Sequence, residues 1–273
     1  MTKVFMIINY ITKKLNKKMK KINNIVLALV FCNLSAQINL KHISFKQKDS
    51  ITDKELYKKG LIKSIEKIKP LIDGMGKAFE LEKKEDIDIK IQKEVDSIVN
   101  NISQKEIDKD IRVFHFEYID NRVLKRWETK ENGEILTYPI YLDHTKGKEY
   151  YNYPRENEEE YKYSFKKIKN LHIEIIKHKT KIINGLKCLK LLVSYTEIIE
   201  AKDYPEFPEF NAPEEHIDVK LEMWVTKDIK TLYHPILKIK EVLESFYPLE
   251  INESSDAING SIRKYTLKEI IKT

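Results

Sequence analysis

The sequence predicts an α+β protein, with an antiparallel sheet built as a meander and two amphipathic helices ahead of it. Three observations carry that prediction. From Ile111 onward the apolar residues recur with a period of two; Gly, Asn, Asp and Pro punctuate that region about every ten residues; and helical periods are confined to the chain before residue 110. A parallel sheet would need crossover helices between the strands, and the helical period is missing there. The expected organisation is a leader over 1–36, a helical part over 37–109 and a sheet over 110–273, the last two packed as one domain.

The stretch from Thr180 to Ile229 organises the sheet. Thr180 to Ile183 leads into Asn184-Gly185, and Leu186 to Tyr195 leads away. Asn-Gly between alternating runs is a hairpin signal, because both residues tolerate the left-handed backbone of a tight turn. A third strand follows a loop, at Leu221-Glu-Met-Trp224-Val-Thr, and Trp224 is expected to be buried.

Taken in order, the chain opens with a lysine-rich leader. Met19-Lys20-Lys21, the apolar run Ile25-Val-Leu-Ala-Leu-Val-Phe31 and Leu34-Ser35-Ala36 before Gln37 have the order of a secretory signal peptide. Translation is expected to begin at Met19. The apolar run is shorter than the roughly 20 residues that span a bilayer, so no transmembrane helix is expected in the mature chain. A buried N-terminal helix is the alternative reading. Cys32 invites a lipoprotein reading, but Phe31 occupies the place where lipid attachment wants a small residue.

Residues 37–52 read as an extended entry. Thr52-Asp53-Lys-Glu55 then caps a helix whose apolar face is Leu61, Ile65, Ile68 and Ile72, ended by Pro70, Gly74 and Gly76. A second helix shows Ile87, Ile91, Val95, Ile98 and Ile102 on one face and charged residues elsewhere. Strands are expected at 111–118, 123–129, 135–142, 150–153, 161–165 and 171–179. After the Asn184-Gly185 hairpin and Trp224, further strands are expected at 236–243, 246–251 and 262–270. The insert between Glu197 and Asp218 holds eight acidic residues against one lysine, with prolines at 205, 208 and 213. A solvated, partly extended loop outweighs a polyproline ligand there.

Charge and cysteine narrow the function classes. The formal charge is +7, and residues 1–36 contain seven lysines and no acid, so the rest of the chain is neutral. A neutral mature chain has no net attraction to phosphates, which argues against nucleic acid as a partner. Beyond the leader Cys188 is the one cysteine, so no internal disulfide is available. Its place in an alternating strand reads as a small buried apolar residue.

At two segments the chain resembles the GLPGLI family of secreted proteins. Those are Lys181-Ile-Ile183-Asn-Gly185-Leu-Lys-Cys188-Leu-Lys190 and Trp224-Val-Thr-Lys-Asp228-Ile229. The name-giving motif corresponds to Phe246-Tyr-Pro248-Leu-Glu-Ile251, which keeps the proline and final isoleucine without the glycines. The resemblance covers about residues 110–255 and implies an envelope-exported, sheet-rich protein. It further implies a curved antiparallel β-sheet, a half barrel like the periplasmic lipoprotein carriers, with helices on one face.

Catalytic, cofactor and metal signals are absent. His172 and Glu174 alternate on a strand with His178 further along, and His115 and Glu117 share the spacing. Both pairs read as the polar side of a half-buried strand, since a metal site needs about three or four converging ligands. The acidic runs lack the alternating ligands and turn glycine of a calcium loop. No nucleophile elbow, phosphate-cradling loop or His-Glu-x-x-His occurs. The residues proposed to bind are aromatic: Tyr138, Tyr141, Tyr151, Tyr153, Tyr161, Tyr163 and Trp224 as a ligand or partner surface, although strand propensity also explains tyrosines. The expectation is therefore a non-enzymatic exported protein, periplasmic or secreted and associated with the outer membrane in one variant of that reading. It would bind an apolar ligand or an envelope protein, without cofactor. The alternative is a structural or assembly component acting through the 197–218 loop.

Overall fold

The computed structural model describes residues 40–63, 93, 96–97, 111–119, 123–151, 160–200 and 214–272. The chain divides into Met1–Asn39 and Leu40–Thr273, and all the described residues belong to the second unit. The leader, Tyr153 and the middle of the acidic insert lie outside them. So does the second helix, apart from residues 93, 96 and 97, which are helical.

The described elements are strands β1 (Leu40–Ile51), β2 (Arg112–Tyr118), β3 (Val123–Lys130), β4 (Ile140–Asp143), β5 (Lys148–Tyr151), β6 (Glu160–Lys162), β7 (Ile168–Ile183), β8 (Leu186–Ile199), β9 (Glu215–Thr226), β10 (Tyr247–Ser255) and β11 (Ser261–Lys272). Helix α1 covers residues 54–63 and α2 is Lys240–Leu243. All strand pairs are antiparallel, in the order β6-β5-β4-β3-β2-β1-β11-β10-β9-β8-β7. The sheet is thus two meanders, β1 to β6 and β7 to β11, zipped together by β1 against β11. A division at residue 110 would separate the sheet from its own central strand, in which Ile43 and Phe45 are fully buried.

The connection between β6 and β7 forces curvature. Eleven strands laid flat at about 4.8 Å spacing would hold those edges roughly 48 Å apart. Residues 163–167 join them, and six extended Cα steps reach only about 22 Å. The sheet therefore rolls until its edges approach. Backbone bonds hold the roll, from Lys166 N to Lys238 O (2.9 Å), from Ile198 N to Lys167 O (2.9 Å) and from Tyr163 N to Gly147 O (2.9 Å). Strand twist allows this without broken ladders, aided by irregularities at Ser44/Phe45 in β1, Pro248/Glu250 in β10 and Ile176/Thr180 in β7.

The turns follow their sequences. Asn184 (φ 47°) and Gly185 (φ 76°) are both left-handed, as the hairpin signal requires. Gly260 has φ +73°, and a Cβ there would stand 2.3 Å from Asp53 O and 2.3 Å from Tyr57 N. Its carbonyl accepts from Thr52 N (2.8 Å) and Asp53 N (3.0 Å), so the β10–β11 turn is the seat of α1. Asp53 caps α1 as expected, its Oδ1 accepting from Leu56 N at 3.0 Å.

Several expected boundaries shift. Residues 236–243 are not a strand: after Pro235 the chain turns, with Ile236 N and Leu237 N both bonded to His234, and then forms α2. Short apolar runs do not distinguish these outcomes, because burial is required in each. The strand expected at 135–142 shrinks to β4, since Pro139 offers no ladder donor. The strand expected over 161–165 stops at Lys162. Strands β8 and β9 extend into the 197–218 insert from both ends, pairing as far as Ile199 with Glu215.

Candidate functional site

The rolled sheet has an inner face toward which it curves and an outer face. Cross-strand register puts Phe45, Phe114, Phe116, Leu124 and Leu142 inside on the first meander. Tyr195, Leu221, Met223, Ile251 and Tyr265 lie inside on the second. Their burial in a water-excluded layer supplies most of the fold's stability, at about 25 cal/mol per Å² of apolar surface. The segment 227–246 enters this layer and fills one end of it, burying Ile229, Leu237, Ile239, Val242, Leu243 and Phe246.

His234 fixes that segment. The ring is 1% exposed and stands between Phe45 and Tyr247, with centroids at 4.7 and 4.8 Å. Its Nδ1 accepts from Ile236 N (3.0 Å) and Leu237 N (2.9 Å), while Nε2 lies 3.0 Å from the Pro248 carbonyl. Two N–H donors on one nitrogen and a carbonyl on the other admit only the neutral, Nε2-protonated tautomer. Burial lowers its pKa to about 3, against a small opposing effect of the Pro248 carbonyl.

Beside it is a group of phenols. Tyr163 packs with Leu124 and Leu142, and its ring meets Tyr233 at 5.2 Å and Phe165 at 5.4 Å. Tyr233 donates to His144 O at 3.0 Å. Among the described residues, the buried hydroxyls of Tyr118, Tyr163 and Tyr247 have no hydrogen-bond partner. Thr231 is the polar side chain acting on the Tyr118 hydroxyl, but the geometry closes no bond there. Burial raises all three phenols, and Tyr247 also feels Tyr118 and Tyr163, which places them in one neighbourhood. Lys238 Nζ lies 5.0 Å from the Tyr163 ring centroid. Burial, then Arg126 and Lys166, lower its pKa, while Glu149 opposes them. Arg126 and Glu149 stand 3.9 Å apart.

Toward the α1 end the inner face becomes charged. Glu253, Arg263 and Asp49 are direct neighbours across β10, β11 and β1. Arg263 forks onto Asp49, with Nε 3.2 Å from Oδ1 and Nη2 3.2 Å from Oδ2. Lys166 donates to Glu197 at 2.7 Å. Burial raises the Glu253 carboxyl; Lys166 and Arg263 oppose that rise, and Glu197 and Asp49 add to it.

The aromatic set expected from the sequence is not one surface. Tyr138 is 69% exposed ahead of β4. Tyr141 is on the outer face of β4, Tyr151 of β5 pairs with Ile140, Tyr161 of β6 pairs with Glu149, and Tyr163 is core. Trp224 is half-buried on the outer face, under Lys181 Nζ at 4.6 Å and Lys190 Nζ at 6.0 Å. The burial expected of Trp224 fails because its strand position points away from the core.

The outer face carries other polar groups. His172 and Glu174 share it and line a shallow groove of about 480 Å³ with Ser194, Lys220, Glu222 and Asn252. Among the described residues no three His, Cys, Asp or Glu side chains are placed to hold a metal. His115 is not simply solvent-facing: it stacks on Trp127 at 4.7 Å and on His42 at 5.6 Å, and bonds Thr129 Oγ1 at 3.0 Å. Burial, then the charges of His42 and Lys268, lower it to about 4. Cys188 is fully buried, and burial raises its thiol to about 11, in keeping with a packing role. No described helix is long and apolar enough to cross a membrane.

Of the inner group, the sequence singles out Tyr163 as a ligand-surface residue, but not Tyr118, Tyr247, Lys238 or His234. A Tyr-His-Pro at 233–235 and one lysine among many give no local signal, because the grouping depends on long-range pairing.

No family model matches the chain, and no curated protein does. Among solved structures, the Mycobacterium tuberculosis lipoprotein LppX aligns over 90% of this chain and 95% of its own, at 9% identity and a TM-score of 0.27.

Proposed function

We propose that this chain is an exported, non-enzymatic binding protein of the cell envelope that holds an amphiphilic guest against the inner face of its rolled sheet. The carrying observation is the composition of that face. Aromatic and aliphatic side chains from both meanders line it, yet among the described residues it also buries phenol hydroxyls without partners and half-buries a lysine that no carboxylate contacts. A core selected only for stability would be apolar or fully paired there, because each orphaned buried donor costs about 1–3 kcal/mol. A guest with an apolar body and a polar end supplies what the sheet lacks. The lysine-rich leader supports export, and the absence of any catalytic motif in the sequence supports a binding role.

Native mass spectrometry of the mature protein purified from its own envelope tests the reading. The expected result is a non-covalent mass increment that is lost on unfolding. A bare mass from repeated gentle preparations, together with no uptake of amphiphiles in vitro, would refute it.

A further inference from the structure

Resting on that binding reading, we infer that the guest has an anionic head, a carboxylate or phosphate, received by Lys238 and the phenols of Tyr163, Tyr247 and Tyr118. The unmet hydrogen-bonding groups of the neighbourhood are phenol hydroxyls, each able to donate as well as accept, beside an ammonium that only donates. A phenol hydroxyl without a partner first needs an acceptor for its proton, and three such hydroxyls are buried together. Tyr247 is fully buried and Tyr163 is 8% exposed, so neither reaches solvent instead. Lys238 adds an ammonium, which offers donors and no acceptor. Among the described residues no carboxylate lies within ion-pair distance of it, and its contact is with the Tyr163 ring at 5.0 Å.

The surrounding groups favour the same sign. Among the described residues, Arg126 and Lys166 are the other cations acting on Lys238, and Glu149 is the acid that acts on it. Glu149 faces Arg126 at 3.9 Å, and Lys166 is engaged by Glu197 at 2.7 Å. Among the described residues, those two pairs leave the half-buried Lys238 as the charge without a paired acid. A cationic head would add a like charge in a poorly solvated place, and an uncharged alcohol would leave Lys238 unanswered. The hydroxyls are closed to solvent, and Lys238 belongs to the 227–246 segment, which packs beside them through Tyr233 on Tyr163 and His234 on Tyr247. The head therefore enters as that segment yields, while His234 holds its neighbouring turn.

The experiment compares matched probes on the full mature chain: decanoate, decyl phosphate, decanol and decyltrimethylammonium, with acetate and inorganic phosphate as heads without tails. Binding is read by titration calorimetry and by the shift in Tm. Decanoate or decyl phosphate should bind at least about tenfold more tightly than decanol, and decyltrimethylammonium should bind no better than decanol. Binding of acetate or inorganic phosphate at comparable affinity would identify a free small anion as the guest; binding of the tailed acids alone would identify an acidic amphiphile. Lys238→Met should abolish the preference for acids over decanol. Tyr247→Phe and Tyr163→Phe should raise the Tm of the empty protein while weakening the acid probe about tenfold, an opposition that a purely structural phenol would not produce. Equal binding of acid and alcohol overturns the anionic head but leaves the binding reading intact. A preference for the cationic probe, or no binding by any probe, also overturns it; the binding reading is itself contradicted by the last result and by a free small anion as the guest, which keeps the anionic head but removes the amphiphile.

Discussion

Acid should destabilise this fold through one buried ring. The His234 pKa falls from an ordinary 6.5 to about 3 because its burial excludes the charged form. Between those values the unfolded chain holds a proton that the folded chain refuses. The ring's contribution is therefore complete above about pH 6.5 and is lost as pH falls toward about 3, at up to roughly 1.4 kcal/mol per pH unit. Across that window the loss is on the order of 4–5 kcal/mol, a large share of the stability of a single domain. The geometry explains why the ring cannot accommodate the proton: a protonated Nδ1 would face the N–H groups of Ile236 and Leu237. Urea unfolding at about pH 6.5 and about pH 4.5 should differ in the native protein by roughly 2.3 kcal/mol more than in His234→Leu. The variant itself should lose about 3–5 kcal/mol at neutral pH, since it orphans two N–H groups and the Pro248 carbonyl. His115 and the carboxylates titrate in both proteins and cancel in the difference. Equal acid losses in the two proteins would refute the argument. If the variant does not fold, a native His234 imidazole that titrates near its ordinary pKa by NMR would refute it directly.

Three other outcomes follow from local geometry. Gly260→Ala should cost about 2–4 kcal/mol, lowering Tm by about 5–10 °C, because the added Cβ meets two backbone atoms at 2.3 Å where φ is +73°; an unchanged Tm would mean that α1 does not sit on this turn. Asp53→Ala should cost about 1 kcal/mol by removing the cap on Leu56 N, read as a small fall in the urea midpoint. Cys188 should resist alkylation in the native state near neutral pH and react fully in denaturant, since burial raises its thiol to about 11; rapid labelling of the folded chain would contradict its burial.

Features set by a few adjacent residues were legible in the sequence. Asn184-Gly185, Gly133 and Gly147 all adopt positive φ in turns, and Asp53 caps α1. The shared face of Phe114, Phe116 and Tyr118 follows from the period of two and holds in the register. Features set by distant pairing were not legible. Leu40–Ile51 read as an entry segment because nothing local says that β11 will close against it, with Asp49 opposite Arg263. The tyrosines were legible as strand residues, but which face each takes depends on strand ends that Pro139 and the shortness of β6 shifted. Half-buried charge is the hardest feature to read, since Lys238 and Glu253 are ordinary surface types until the roll brings neighbours around them.

The outer groove and the inner face differ in what they ask of a ligand. Around the groove, His172, Glu174, Lys220 and Glu222 stand at a shallow surface where water can satisfy each of them, so emptiness there has no cost. Inside, the phenol hydroxyls of Tyr163 and Tyr247 are kept from water, at a cost that substitution by Phe would remove, and the half-buried Lys238 stands beside them. Such groups persist in a marginally stable fold when something they do offsets that cost. The five-residue link that pulls the sheet edges together also brings Tyr163 and Lys166 to this spot, and the 227–246 segment adds Lys238 through the Lys166–Lys238 backbone bond. Curvature, closure and the concentration of unmet donors thus have one structural origin, which is the physical reason to seek function on the inner face and not in the groove.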